Sequence, residues 1–204
     1  MPTPDDTGEA GADPGRRNEL AMTAGDLQAA CRLIALLLGQ PDGESRSVLG
    51  ELAEAHPWLR DGAREIEGLS LERWQAEHTR LFVSGHPRTP CPPFESHYRH
   101  GHPGGPSASV REIEDIYRRA GLETSGPVPA DYLGTLLECA AWLIERTGGS
   151  CGLLAELWVG HLALWAPRFA SDLMSASRLE LYCALGRRLD RLLPMVRAYA
   201  HRSW

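Results

Sequence analysis

Five of the eight histidines, His78, His86, His97, His100 and His102, fall in one stretch that also holds Cys91. Imidazole and thiolate are the usual zinc ligands, so His97, His100 and His102 could surround an ion. Their spacing fits none of the stronger zinc templates, and no CxxC pair is present to complete one. Solvated loop histidines are the preferred reading, and no metal is expected. Glu95, Asp131 and Glu138 raise acid–base chemistry instead. Asp131 and Glu138 share one helix face, about two turns apart, but catalysis would need them to converge on a pocket. An aspartate at a helix start is by default a cap. No GxSxG, HExxH, GxGxxG or nucleophile–base pattern is present. His161 lies on an apolar helical stripe, where a histidine with a buried partner is the default. Metal binding and acid–base catalysis are the minor readings of these residues.

Composition narrows the classes further. All 21 basic residues are arginine, so a P-loop lysine, a Schiff-base lysine and a lysine general base are excluded. Arginine does not deprotonate near neutral pH and cannot stand in for them. A formal net charge of −6 argues against a general nucleic-acid binder. The five cysteines (31, 91, 139, 151 and 183) are odd in number and scattered, which suits free thiols in a reducing cytoplasm. No apolar run is long enough to span a bilayer. Arg16-Arg17 resembles the arginine pair of an export signal, but the residues after it lack a continuous apolar core.

The elements that must position these residues read as helices. Leu and Ala together number 53 against 11 for Val and Ile, a ratio that favours helix over sheet. Residues 1 to about 20 are Pro-, Gly- and acid-rich and are expected to be disordered. Leu27, Ala30, Cys31, Ile34 and Leu38 mark a first helix ending at Gly39 and Pro41, with Leu33, Leu36 and Leu37 widening its apolar face. Weaker patterns follow from Ser45 and Ser70. Ser109 with Glu112, and Ser177 with Glu180, are expected to be capping boxes. Leu133, Leu136, Leu137, Ala140 and Ile144 mark another helix, stopped at Gly148-Gly149. The helix carrying Leu157, His161, Leu164 and Trp165 is expected to break at Pro167, and the last one to kink or stop at Pro194. The expectation is an all-α, single domain of about seven to nine helices without a strand. Its two helical halves, about 21–90 and 107–204, are joined by a Pro/Gly/His-rich linker at about 91–106.

Five short motifs stand in order along most of this pattern: "EHTRLFVSG", "CPPFESHY", "VREIEDIYRRAGLE", "VPADYLGTLLECAAWL" and "GHLALWAPRFASDL". Together they resemble the TorD/DmsD/NarJ family of redox enzyme maturation chaperones. The second resembles that family's Pro-Pro-aromatic-Glu-Ser loop, and the last its His-Leu-x-x-Trp-x-Pro-x-Phe segment. The chain departs from the family at Val128-Pro129-Ala130-Asp131-Tyr132, where a Glu and a His are usual, and at His78, where an aromatic is usual.

The resemblance implies a cytoplasmic, all-helical, non-enzymatic chaperone, with no cofactor expected. It would bind a molybdopterin-containing oxidoreductase catalytic subunit, or that subunit's twin-arginine signal peptide, and hold it for cofactor insertion, assembly and export. The chaperone itself would be a monomer or homodimer. The expected client-binding residues are Leu81, Phe82, Pro92, Pro93, Phe94, Glu95, Ser96, Tyr98, Asp131, Tyr132, Glu138, His161 and Trp165. Phe82 and Phe94 would receive apolar side chains, and Glu95 or Asp131 would meet an arginine. Two other readings stand beside this one: a metal-dependent enzyme built on the His/Cys cluster, and a stable structural subunit of an oxidoreductase complex.

Overall fold

The computed structural model describes residues 22–101, 108–123, 128–147 and 152–201. The expectations for the tail at 1–20, for His102, for Gly148-Gly149 and for Cys151 fall outside these residues. The described chain is helical. Its elements are α1 (Ala24–Leu37), α2 (Ser45–Ala55), α3 (Arg60–Glu67), α4 (Leu71–His78), α5 (Glu95–His100), α6 (Ala108–Ala120), α7 (Leu133–Thr147), α8 (Gly152–Leu157), α9 (Ala163–Ala176) and α10 (Glu180–His201). Two wide π turns, Thr79–Val83 and Trp158–Leu162, extend α4 and join α8 to α9. Such turns are uncommon and often mark functional positions.

Local chemistry explains several starts. Thr23 and Asp26 form a reciprocal capping box at the head of α1, and the Ser70 hydroxyl accepts the Arg73 N–H at the head of α4. The two boxes expected from sequence do not stand at the N-cap positions assigned to them. Ser109 lies inside α6, and Ser177 closes the end of α9. The Glu180 N–H at the head of α10 instead donates to the Glu65 carboxylate of α3, at 2.6 Å.

The core forms where α1 packs along α7 and α9 along α10. α10 also touches α1, α3 and α8, which makes it the axis of the bundle. Gly62 lets α3 approach closely, since a Cβ there would sit 2.7 Å from Leu181 Cα. Pro167 and Pro194 both lie inside helices that continue past them. Pro167 is the fifth residue of α9, which runs on without a break from the π turn before it, and buried Trp165, Ala166 and Phe169 pack this stretch into the core. Around Pro194 the buried side chains of Leu192, Leu193, Val196 and Ala200 hold the helix to the core, and this packing outweighs a local cost of ~3 kcal/mol.

His78, at the foot of α4, is 5% exposed and packs edge-on against Phe82 with centroids 5.0 Å apart. Its Nε2 lies 3.1 Å from the Leu38 carbonyl oxygen and donates to it. Nδ1 has no partner among the described residues. Burial holds its pKa below the usual imidazole range, against the bond to Leu38, which pulls the other way. The unfolded chain therefore takes up this proton at higher pH than the folded one. The stability it contributes is intact above the unfolded value of ~6.5 and is lost as pH falls through the folded value. Urea midpoints measured from pH 7.5 to 5 should fall more steeply for the wild type than for His78→Gln, which keeps a donor to Leu38. Parallel profiles would contradict this.

Candidate functional site

The π turn after α4 swings Leu81 and Phe82 inward. Leu81 carbonyl accepts the Cys91 N–H at 2.9 Å, which ties the start of the Pro-rich loop to this turn. Phe82 is 4% exposed, with its ring edge-on to Tyr182 at 5.3 Å and stacked with Phe169 at 6.3 Å. It therefore fills the core, and the expected role of receiving a client side chain does not fit its position.

The loop then crosses to the head of α7. Pro92 and Pro93 are buried. Pro93 carbonyl accepts the Leu133 N–H at 2.8 Å, and the Glu95 N–H donates to the Asp131 carbonyl at 3.1 Å. Phe94 and Tyr132 between them make an isolated antiparallel bridge. The Asp131 Oδ2 accepts the Ser96 N–H at 2.8 Å. Asp131 is thus a cap, as sequence suggests, but for α5 rather than for its own helix. That capping turns Glu95–His100 into a helix where a rigid turn and a connector are expected.

Glu95 is fully buried, and its carboxylate is engaged inside the protein. His161 Nδ1 lies 3.1 Å from both of its oxygens, and Arg99 donates to Oε1 at 2.7 Å. The arginine that Glu95 meets is the chain's own. Tyr98 stacks on Trp165, which is 1% exposed, with centroids 5.3 Å apart. Direct bonds thus join Pro93, Phe94, Glu95, Ser96, Asp131, Tyr132 and His161, with Tyr98 and Trp165 stacked beside them. Glu138 stands apart and exposed on α7.

Burial pushes the Cys31 and Cys91 thiols up to about 12, with lesser contributions from neighbouring charges, so neither is a ready nucleophile. No cluster of three metal-ligating side chains occurs among the described residues.

The open feature lies on the other side of Tyr132. A groove of about 460 Å³ between α1, α6 and α7 is walled by Leu36, Tyr117, Val128, Tyr132 and Trp142. Leu36 and Val128 are 57% and 45% exposed, although Leu36 is expected to widen the buried face of α1. The groove's rim carries Arg32, Glu123 and Glu138. Arg32 lies 3.7 Å from Glu138 and bonds Glu145 at 2.8 Å. Phe94 borders the groove through its contact with Tyr132, at 5.7 Å between centroids. Of the residues selected from sequence, only Tyr132 and Glu138 line it; Leu36, Val128 and Trp142 were missed. The available signal was Leu36, one apolar position more than the face of α1 needs for its core.

The sequence pattern described as the nitrate reductase delta subunit matches residues 45–171, more than half of the chain. The chain belongs to the nitrate reductase delta subunit family. This family corresponds to the NarJ/TorD-like resemblance drawn from the five motifs. A solved structure assigned as a redox enzyme maturation protein of Archaeoglobus fulgidus superposes with a TM-score of 0.59 at 23% identity. The match covers 85% of this chain and 95% of that one, and it supports the same fold. No curated protein matches by sequence. The family match spans the loop, the bridge and His161, so the anchor lies wholly within the delta-subunit region.

Replacing Asp131 by Ala should cost about 1–3 kcal/mol, because it strips a buried N–H of its acceptor. Asp131→Asn, which keeps an oxygen acceptor, should cost less. Urea unfolding of both variants checks this, and an unchanged Asp131→Ala midpoint would contradict it.

Proposed function

We propose that this member of the nitrate reductase delta subunit family is a cytoplasmic chaperone for a molybdopterin-containing oxidoreductase. It takes up an N-terminal segment of the apo catalytic subunit, of the twin-arginine type, in the groove between α1, α6 and α7. The observation that carries this reading is the groove's chemistry: exposed Leu36 and Val128 and the Trp142 ring sit directly beside the carboxylates of Glu123 and Glu138. A twin-arginine signal has the complementary order, two guanidiniums followed by an apolar segment. Carboxylates recognise guanidinium by paired charge-assisted bonds, and an apolar wall takes the following side chains.

Glu138 suits the first role better than Glu95 or Asp131. Its pairing with Arg32 is long and solvent-exposed, so an incoming arginine displaces little. Glu95 and Asp131 would have to abandon buried partners first. Phe94, half-buried at the edge, extends the apolar wall. A chaperone role is also consistent with thiols and carboxylates that serve structure rather than reaction.

Calorimetric titration of a twin-arginine leader peptide into the full chain tests this. Leu36→Asp and Glu138→Arg should each weaken binding about tenfold or more, equivalent to ~1.4 kcal/mol. Arg64→Ala, at an exposed pair remote in sequence from the groove, should leave it unchanged. Equal affinity in all three variants would overturn the assignment.

A further inference from the structure

The histidines and arginines around the loop at 84–90 take no part in the anchor or the groove, yet they are not scattered. They converge on a second cavity of about 450 Å³, which shares no lining residue with the groove. Its walls bring together His86 and Arg88 from the loop, His97 and Tyr98 from α5, and Arg168 and Asp172 from α9. On a chain with formal net charge −6, this places two permanent cations and two imidazoles around one small space, against a single carboxylate.

Arg168 is exposed but has neighbours that orient it. The Arg168 guanidinium lies over the Tyr98 ring at 5.7 Å, and its Nε is 3.8 Å from Asp172 Oδ2. Tyr98 is itself held flat against buried Trp165. That arrangement fixes one face of the guanidinium and leaves its remaining donors available. Arg88 has no carboxylate partner among the described residues. Its loop is closed tightly. The Gly85 N–H donates to Thr89 Oγ1 at 3.2 Å, and Thr89 Oγ1 reaches Val83 carbonyl at 3.4 Å. A Cβ at Gly85 would sit 2.7 Å from the Arg80 carbonyl oxygen and 2.8 Å from that of Arg88, so only glycine allows this closure.

We propose that this cavity is an oxyanion-binding site, with Arg88 and Arg168 as its cationic donors and the His97 imidazole beside them. The shared chemistry is a phosphate or carboxylate group, met by planar guanidinium donors at the mouth of a polar pocket. Burial first, and then the charges of Arg168 and Arg88, hold His97 below the usual imidazole range, with Asp172 pulling weakly the other way. An anion between those cations cancels their repulsion and raises His97. Binding is therefore stronger on the acid side of neutrality, where His97 contributes a donor. His86, Arg88, His97, Tyr98, Arg168 and Asp172 are the titratable groups lining this cavity, and Asp172 is the only one that opposes the anion.

The test is an NMR titration of the His97 imidazole in the full chain with inorganic phosphate, and separately with a tetraglutamate peptide, each against sodium chloride at matched ionic strength. Phosphate or the peptide should raise the His97 midpoint, whereas chloride should not. The responding ligand identifies the source of the oxyanion. Arg88→Gln and Arg168→Gln should each weaken that response at least tenfold. Gly85→Ala, which removes no charge, should weaken it by displacing Arg88. A response identical in chloride, or unchanged in both arginine variants, would overturn the site. A circular dichroism melt of each variant confirms that a lost response is not a lost fold.

Discussion

The carboxylate of Asp131 on the Ser96 amide is the contact on which this structure depends. It sits inside a short crossing where the Pro93 carbonyl, the Phe94–Tyr132 bridge and the Glu95 amide all bond to residues 131–133. The bridge is the one piece of sheet-like pairing among the described residues, and it joins the loop after α4 to the head of α7. α5 is only six residues long, too short to be stable in isolation. It exists because a side chain 35 residues away supplies the acceptor that its own N-cap, Phe94, lacks. Once α5 is held, Glu95 is committed to His161 and Arg99, and Tyr98 to Trp165. The loop, α7 and α9 are then one unit.

That commitment decides which surfaces are left for a partner. The conspicuous residues of the Pro-rich loop are consumed in assembling the protein. Tyr132 sits at the boundary. Its backbone belongs to the bridge, its hydroxyl donates to the Leu38 carbonyl at 3.1 Å, and its ring forms a wall of the groove. The anchor thereby sets the position of the groove's floor without occupying it. Leu36, Val128 and Trp142 on one side, and Glu123 and Glu138 on the rim, remain accessible. The cationic cavity around Arg88 and Arg168 is supported by the same unit from α5, through Tyr98 and its stack on Trp165. One buried crossing therefore holds two surfaces of opposite charge in a fixed relation.

Much of this was legible from the sequence, and the rest was not for identifiable reasons. The helical class follows from the Leu/Ala excess and the three-and-four spacing, which are local properties. The five ordered motifs pointed to the family that residues 45–171 match. The break expected at Pro167 does not occur, because a proline's cost is local, whereas the packing of Phe169 that overrides it is not; α10 likewise runs past Pro194, held by Leu192 and Val196. Ser109 and Ser177 fit capping spacing, but Ser109 lies one residue inside the start of α6 and Ser177 closes α9. Asp131 reads as a cap from its type alone, and only the fold reveals which helix it caps. Phe82, Glu95 and Trp165 were chosen as client contacts for their chemistry. Their burial shows that aromatic and acidic residues in a motif can serve the scaffold as readily as a surface. Leu36 reads as core because its helix has a broad apolar face; the partner helix α7 covers only part of it.

The proposed client surface is the groove beside Tyr132, with the Pro-rich loop as its support. Site-specific photo-crosslinking measures this directly. A benzophenone amino acid replaces Leu36, Val128 or Val48 in turn, and each protein is irradiated with a twin-arginine leader peptide. Val48, 39% exposed on α2, is the comparison position. The account predicts covalent capture of the leader from positions 36 and 128 and none from 48. Capture from 48 with none from 36 or 128 would contradict it.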